Sequence, residues 1–158
     1  MPGEGSATAR IMVVGEAPGA REDETGRPFV GAAGRLLDEL LDSIGLRRDD
    51  VFITNVLKAR PPRNRDPRAD EVAHSWPWLE AQIAIVEPEL LVPVGRHALW
   101  RFVPKLKITE VKGRVIHDDA GRALFPLLHP AVAVRDRRRR AELFDDIAAL
   151  PAQLSSTR

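Results

Sequence analysis

The sequence contains no cysteine, and that absence excludes several kinds of chemistry at once. Without a thiol, the chain can form no disulfide, offers no thiolate nucleophile and cannot hold a cysteine-ligated cluster. It also lacks any run of about 18 apolar residues, the length that a transmembrane helix requires. Residues 1–10 contain no apolar segment of the kind found in secretory signals. We therefore expect a protein of the cytoplasm that makes no contact with a membrane.

An excess of charge of one sign is also missing, because the net charge is only +1 at pH 7. That value argues against a protein that coats DNA without selectivity. The arginines are nevertheless concentrated, with four of them in residues 60–68 and five in residues 135–140. Two basic loops on a near-neutral body are typical of an enzyme that binds phosphates locally. The alternative interpretation is a set of solvated surface arginines.

The chain has 158 residues, of which 44% are hydrophobic, and this is typical of one globular domain. We expect a single domain over residues 1–158, with flexible ends at 1–9 and 152–158. Apolar segments predict strands at 10–15, 51–54, 90–94 and 123–128. Helices are expected near 36–44, 70–86, 95–102 and 138–150, with a loop and small hairpin at 108–117. This alternation predicts an α/β protein, a three-layer α/β/α sandwich around a central four-stranded, mostly parallel sheet.

A polar residue follows three of the predicted strands directly. Glu16 comes after the first strand, Asn55 after the second, and His129 after the last. Ligands in such folds bind beyond the carboxyl ends of the strands, so these side chains predict one shared site. The loop Gly15–Gly19 has neither the glycine spacing of a dinucleotide fold nor that of a phosphate-binding loop. It therefore gives little support for a nucleotide cofactor.

Longer segments around these residues carry a more specific signal. They read GEAPGAREDETGRPFVGAAGRLLD at 15–38, TNVLKARPPRNR at 54–65 and HPA at 129–131. In order and spacing these segments resemble the family-4 uracil-DNA glycosylases, over residues from about 10 to 150. The resemblance implies a monofunctional enzyme that flips uracil out of DNA and hydrolyses its N-glycosidic bond. The expected partner is therefore DNA that contains uracil or another deaminated base.

The resemblance also implies roles for individual residues. Phe29 would stack on the flipped base, and the amide of Asn55 would pair with its edge as donor and acceptor. His129 would stabilise negative charge on the departing base by donating a hydrogen bond. Glu16 would orient or activate water, or stabilise the cationic sugar by its charge alone. Ala17 occupies the base-binding position where other uracil glycosylases carry a catalytic aspartate.

The same resemblance predicts where DNA is held. The loop after the second strand would contact phosphates through Lys58, Arg60, Arg63 and Arg65. The segment from Ala131 to Val134 would enter the duplex in place of the flipped base, and Arg135 and its neighbours would contact flanking phosphates.

The chain departs from the family at the iron–sulfur cluster. Family-4 members usually carry four cysteine ligands, whereas Ala59 and Ser75 stand at the third and fourth positions and the first pair has no counterpart. We therefore expect no cluster and no other cofactor. Packing by Trp76 or Trp78 is a candidate replacement. The remaining histidines show no spacing typical of metal ligands, so no metal is expected.

Two alternatives stay open. The base could be hypoxanthine or xanthine, or the chain could be a catalytically weak homologue that binds DNA.

No histidine lies between Asn55 and Asp70, so no covalent intermediate with uracil is expected. We expect a monomer.

Overall fold

The computed structural model describes residues 2–64 and 67–154. Its centre is a six-stranded sheet in the spatial order β1-β3-β2-β4-β6-β5. The strands are β1 (Glu4–Gly5), β2 (Ile11–Gly15), β3 (Phe52–Asn55), β4 (Leu90–Pro93), β5 (Ile116–His117) and β6 (Ala123–Leu124). The helices are α1 (Ala20–Thr25), α2 (Ala32–Ser43), α3 (Ala69–Val86), α4 (Arg96–Phe102), α5 (Ile108–Val111) and α6 (Arg137–Ala148). Short 3-10 turns occupy Arg48–Asp50, Pro62–Asn64, Pro130–Ala133 and Pro151–Gln153.

The four inner strands are parallel, as predicted. Val14 pairs with Thr54 of β3, and Val13 pairs with Val92 of β4. The α/β class is confirmed, but the predicted number of four strands is wrong. The two extra strands, β1 and β5, are antiparallel edge strands of two residues each, too short to show an alternating apolar pattern. β1 also ties residues 4–5, which were expected to be flexible, to β3.

Alternation along the strands creates a hydrophobic core on each face of the sheet. Ile11 and Val13 point to the face covered by α2 and α6, which contribute residues such as Leu40 and Leu143. Met12 and Val14 point to the opposite face, where Leu79 of α3 packs. The predicted three-layer arrangement follows directly from this alternation.

The predicted long helices are present with boundaries close to those expected. Helix α3 carries its predicted apolar face, with Leu79 and Val86 buried and Val72, Trp76 and Ile83 packed beside them. Helix α1 was not predicted, because its six residues include no buried side chain and therefore no apolar periodicity. Within residues 2–64 and 67–154, no helix combines the length and the apolar character needed to cross a bilayer.

The packing of α3 against the sheet gives a first prediction. Leu79 is fully buried, whereas Ile85 on the same helix is 74% exposed. We expect Leu79→Ala to lower the free energy of unfolding by about 2–5 kcal/mol, because it leaves a cavity in the core. The matched control, Ile85→Ala, should change it by no more than about 0.5 kcal/mol. Urea denaturation followed by circular dichroism measures both, and equal losses would contradict this packing of α3.

Candidate active site

The site lies where the order of the parallel strands reverses. The chain runs from β2 to β3 on one side and then returns to β4 on the other side. Such a reversal opens a crevice beyond the carboxyl end of the central strand, here β2. The loops that follow β2, β3 and β6 meet in this crevice. They bring together Glu16, Asn55 and His129, the residues that the sequence placed after strand ends.

A cavity of about 380 Å³ forms the inner part of the site. Its walls include Ala17, Phe29, Asn55 and His129, together with Glu22 from α1. The rings of Phe29 and His129 are stacked, with centroids 5.7 Å apart and an interplanar angle of 27°. A planar ring and an amide in one concave pocket form a suitable binding site for a flat heterocycle that carries both hydrogen-bond donors and acceptors. We call this cavity the base pocket.

The base pocket depends on the absence of a side chain at Gly15. A Cβ atom at this last residue of β2 would lie 2.5 Å from Asn55 Oδ1 and 2.8 Å from Phe29 Cζ. Both distances are shorter than any non-bonded contact that a Cβ atom makes in proteins. Only glycine therefore allows the amide and the aromatic ring to approach the end of the same strand.

Phe29 has an unusual backbone conformation that its neighbours stabilise. Its φ angle is 51°, in the left-handed region that residues other than glycine rarely adopt. The guanidinium of Arg48 donates hydrogen bonds to the carbonyl oxygens of Pro28 and Phe29, the latter over 2.8 Å. Glu4 and Asp38 hold the guanidinium in turn, at 3.0 and 3.1 Å. Arg48 thus positions Phe29 from a separate part of the chain.

Glu22 is the second positioning residue that sequence reasoning missed. Its carboxylate accepts hydrogen bonds from the backbone N–H of Gly19 at 3.0 Å and of Val30 at 3.1 Å. These two bonds join the beginning and the end of the segment between β2 and α2. The glutamate three residues after a glycine at a helix start is a capping pattern, so a sequence signal for its role existed. No local signal marked Arg48, because its partners lie 10 to 44 residues away.

The hydrogen bonds of His129 determine which ring nitrogen carries its proton. Nδ1 accepts the backbone N–H of Ala131 at 3.0 Å, so the neutral ring carries its proton on Nε2. Burial lowers the pKa of His129, and the negative charge of Glu22 opposes that shift only in part. The imidazole is therefore neutral at pH 7. It offers a hydrogen-bond donor to negative charge without introducing a buried cation.

A second cavity of about 640 Å³ adjoins the base pocket, and Ala17, Gly19 and His129 line both. We call it the groove. Glu16 lines the groove rather than the base pocket, with Oε2 lying 3.5 Å from His97 Nδ1 and 3.6 Å from Arg101 Nη2 on α4. The predicted catalytic carboxylate is therefore next to the base pocket but outside it.

The loop after β3 turns its basic residues in different directions. Arg63 is exposed and Arg60 is half-buried, whereas Arg65 lies outside the described residues. Lys58, which we expected to contact phosphate, points inward. Its Nζ donates to Thr54 Oγ1 and to two further oxygens of the fold. Its ammonium is therefore engaged inside the protein.

The segment after His129 forms a 3-10 turn, and Ala133 is the buried residue between exposed neighbours. Ala131 is exposed and Ala133 is buried, while Val132 and Val134 are 51% and 40% exposed. Arg135 follows on the surface. The turn thus presents two valines outward, directly after the histidine of the base pocket.

The residues at the cluster positions do not fit an iron–sulfur cluster. Ala59 presents only a methyl group, and the hydroxyl of Ser75 accepts the backbone N–H of Lys58 at 3.4 Å. Among the residues that the structure describes, no three histidine, cysteine, aspartate or glutamate side chains form a group that could hold a metal. Trp78 is 62% exposed, while Trp76 packs on Phe102 with ring centroids 5.2 Å apart. Of the two tryptophans, only Trp76 takes part in the core.

Comparison with known proteins agrees with this geometry. Residues 2–149 match the family model described as the uracil DNA glycosylase superfamily. The chain is 46% identical to the type-4 uracil-DNA glycosylase of Sulfurisphaera tokodaii, over 92% of this chain and 70% of that protein. It is 49% identical to the type-4 enzyme of Thermotoga maritima, over 85% and 71% of the respective chains. For the type-4 enzyme of Pyrobaculum aerophilum the identity is 44%, over 94% and 80%.

The position of Arg48 predicts a measurable loss of stability on substitution. Its side chain is only 17% exposed, so Arg48→Met leaves the carbonyl oxygens of Pro28 and Phe29 without their donor. We expect the free energy of unfolding to fall by about 2–3 kcal/mol in urea denaturation. Arg47→Met, at the exposed neighbouring position, should leave it nearly unchanged. Equal effects of the two variants would exclude this role for Arg48.

The environment of His129 predicts how it titrates. In an NMR titration, the ring should protonate below pH 6.5 in the folded protein and near 6.5 in urea. Because the folded state binds this proton less readily, the stabilising contribution is complete above pH 6.5 and is lost as the pH falls towards the folded pKa. His129→Gln should remove this part of the acid dependence of unfolding. A folded-state midpoint above 6.5 would contradict the assignment.

Proposed function

Because the chain belongs to the uracil-DNA glycosylase superfamily, we propose that it hydrolyses the N-glycosidic bond of uracil flipped out of DNA, in base-excision repair. The observation that carries the proposal is the base pocket itself. Phe29, Asn55 and His129 line one cavity, and that cavity adjoins the groove. Enzymes of this class must extrude the base before they can reach its glycosidic bond.

Recognition of uracil falls to Asn55 and Phe29. The Asn55 side chain is 4% exposed, and its amide can accept the N3–H of uracil while donating to O4. The ring of Phe29 provides an apolar face for the pyrimidine. Ala17 leaves the space beside them open. A buried amide discriminates strongly, because a base with the wrong edge leaves its donor or acceptor unpaired.

Departure of the base depends on His129. When the bond between C1′ and N1 breaks, its electron pair stays on uracil and the negative charge spreads to O2. The neutral Nε2–H donates to that oxygen. A single preorganised donor of this kind contributes roughly 2.7–4 kcal/mol to a transition state. Water then forms the new bond to C1′ and loses a proton to solvent, while the uracil anion takes up a proton from solvent, so that free uracil and an abasic sugar are the products.

Glu16 acts from the groove, beside the place where the sugar would lie. Positive charge develops on the deoxyribose as the glycosidic bond breaks. An ionised carboxylate stabilises this transition state by electrostatic attraction. His97 and Arg101 hold the carboxylate at the groove wall. This placement supports an electrostatic role for Glu16 over removal of a proton from water.

DNA is held on both sides of the groove. Arg60, Arg63 and Arg65 would contact phosphates from the loop after β3, and Arg135 would do so beyond the turn that starts at Ala131. Val132 and Val134 extend outward from that turn, which suits them to wedge between bases when uracil leaves the stack. Within the predicted wedge segment from Ala131 to Val134, we therefore assign the wedging contact to these two valines.

We also propose that the enzyme works without an iron–sulfur cluster or another cofactor. The support is chemical, because a methyl group at Ala59 and a hydroxyl at Ser75 stand where thiolates would be needed. A cytoplasmic location, action as a monomer and acceptance of hypoxanthine or xanthine remain predictions.

Cleavage of labelled oligonucleotides tests the proposal. Purified protein should release uracil from a uracil-containing strand, measured as alkali-sensitive cleavage, with a hypoxanthine-containing strand assayed in parallel. His129→Ala should lower the single-turnover rate by roughly 10²–10³-fold. Asn55→Ala should also lower it, while Ile85→Ala on the far surface of α3 serves as the control. Binding of both strands without cleavage of either would refute the enzyme and favour a DNA-binding homologue.

A further inference from the structure

A partly buried ammonium group, that of Lys58, lies beside Asn55, a residue of the base pocket. Lys58 Nζ donates to Thr54 Oγ1 at 2.7 Å, to the carbonyl oxygen of Asn55 at 2.6 Å and to Gln82 Oε1 at 2.6 Å. All three acceptors are oxygens, which suits the donors of an ammonium. Burial lowers the pKa of Lys58 to about 8. A cation in such a place is stable only with partners of this kind.

The partners of Lys58 come from three separate parts of the chain. Thr54 and Asn55 end β3, and Gln82 lies on α3. The amide nitrogen of Gln82 in turn donates to the carbonyl oxygen of Pro2, in the segment before β1. The backbone N–H of Lys58 donates to Ser75, again on α3. Lys58 thus joins the end of β3 to helix α3, and Gln82 extends the connection to the N-terminal segment.

We propose that Lys58 is a positioning residue whose hydrogen-bond network fixes the main chain of Asn55 and ties the end of β3 to helix α3 and, through Gln82, to the segment before β1. The inference rests on the proposed function for its catalytic part only.

The bond to the Asn55 carbonyl gives the network a direct effect on catalysis. The carbonyl and the base-reading amide belong to one residue, so a shift of the peptide plane moves the amide. Recognition of this kind requires side chains to be held to within about 0.5 Å. The network keeps the main chain of Asn55 still while its side chain faces the pocket.

Lys58→Met tests the proposal, because it keeps the apolar stem and removes the donors. We expect single-turnover excision of uracil to fall by roughly 10–100-fold, as is typical when a supporting group is removed. The salt dependence of DNA binding should stay unchanged. A lysine bound to phosphate would instead lower the slope of log K against log salt by about 0.9. Arg63→Gln is the matched control, and its slope should fall by that amount.

A second variant keeps the proposal testable if Lys58→Met folds poorly. Gln82→Met removes one acceptor of the ammonium and should lower both the excision rate and the melting temperature. Because Lys58→Met has already removed the ammonium, adding Gln82→Met to it should lower the melting temperature by less than Gln82→Met does alone. Additive effects of the two substitutions on melting temperature would overturn the network, as would a reduced salt slope for Lys58→Met.

The two proposals fail in different ways. If the wild-type protein releases no uracil, the proposed function is wrong. The melting temperatures of the wild type, the two single variants at Lys58 and Gln82 and the double variant still test the network. If the wild-type protein is active and Lys58→Met is equally active at an unchanged melting temperature, the network is wrong and the proposed function stands.

Discussion

The close approach of two side chains to the bare backbone of Gly15 is the constraint on which the site depends. Asn55 and Phe29 can meet at the end of β2 only because that strand ends without a Cβ atom. The surrounding structure brings the two side chains to this position. Parallel pairing of β2 with β3 places Asn55 beside Gly15, and the turn around Phe29 brings the aromatic ring to the same residue.

Two cations stabilise this arrangement by binding main-chain carbonyl groups. Arg48, just before β3, holds Pro28 and Phe29, and Lys58, just after β3, holds Asn55. Cations in basic loops of such an enzyme are expected to face DNA, but these two face the protein. Their role fits the chemistry of the pocket, because a neutral base must be recognised by hydrogen bonds whose geometry leaves little tolerance.

Sequence reasoning identified residues that line the base pocket but missed the residues that hold them in place. Phe29, Asn55 and His129 could be named because they follow strand ends or lie in segments that resemble a known family. Arg48 could not be found in this way, since its partners Glu4, Pro28 and Asp38 are distant along the chain. Lys58 looked like a surface residue of a basic loop, and only its burial against Gln82 shows otherwise.

The sequence by itself determined the α/β class, the parallel strands, the long helices and the meeting of three polar residues at one sheet edge, because apolar periodicity and strand ends are local properties. The absence of cysteine was equally visible without coordinates. Only the tertiary structure decided that Lys58 points inward, that Glu16 faces the groove and that short edge strands extend the sheet. The direction of a long charged side chain depends on which acceptors the fold brings within its reach, and those acceptors come from segments that the chain order keeps apart.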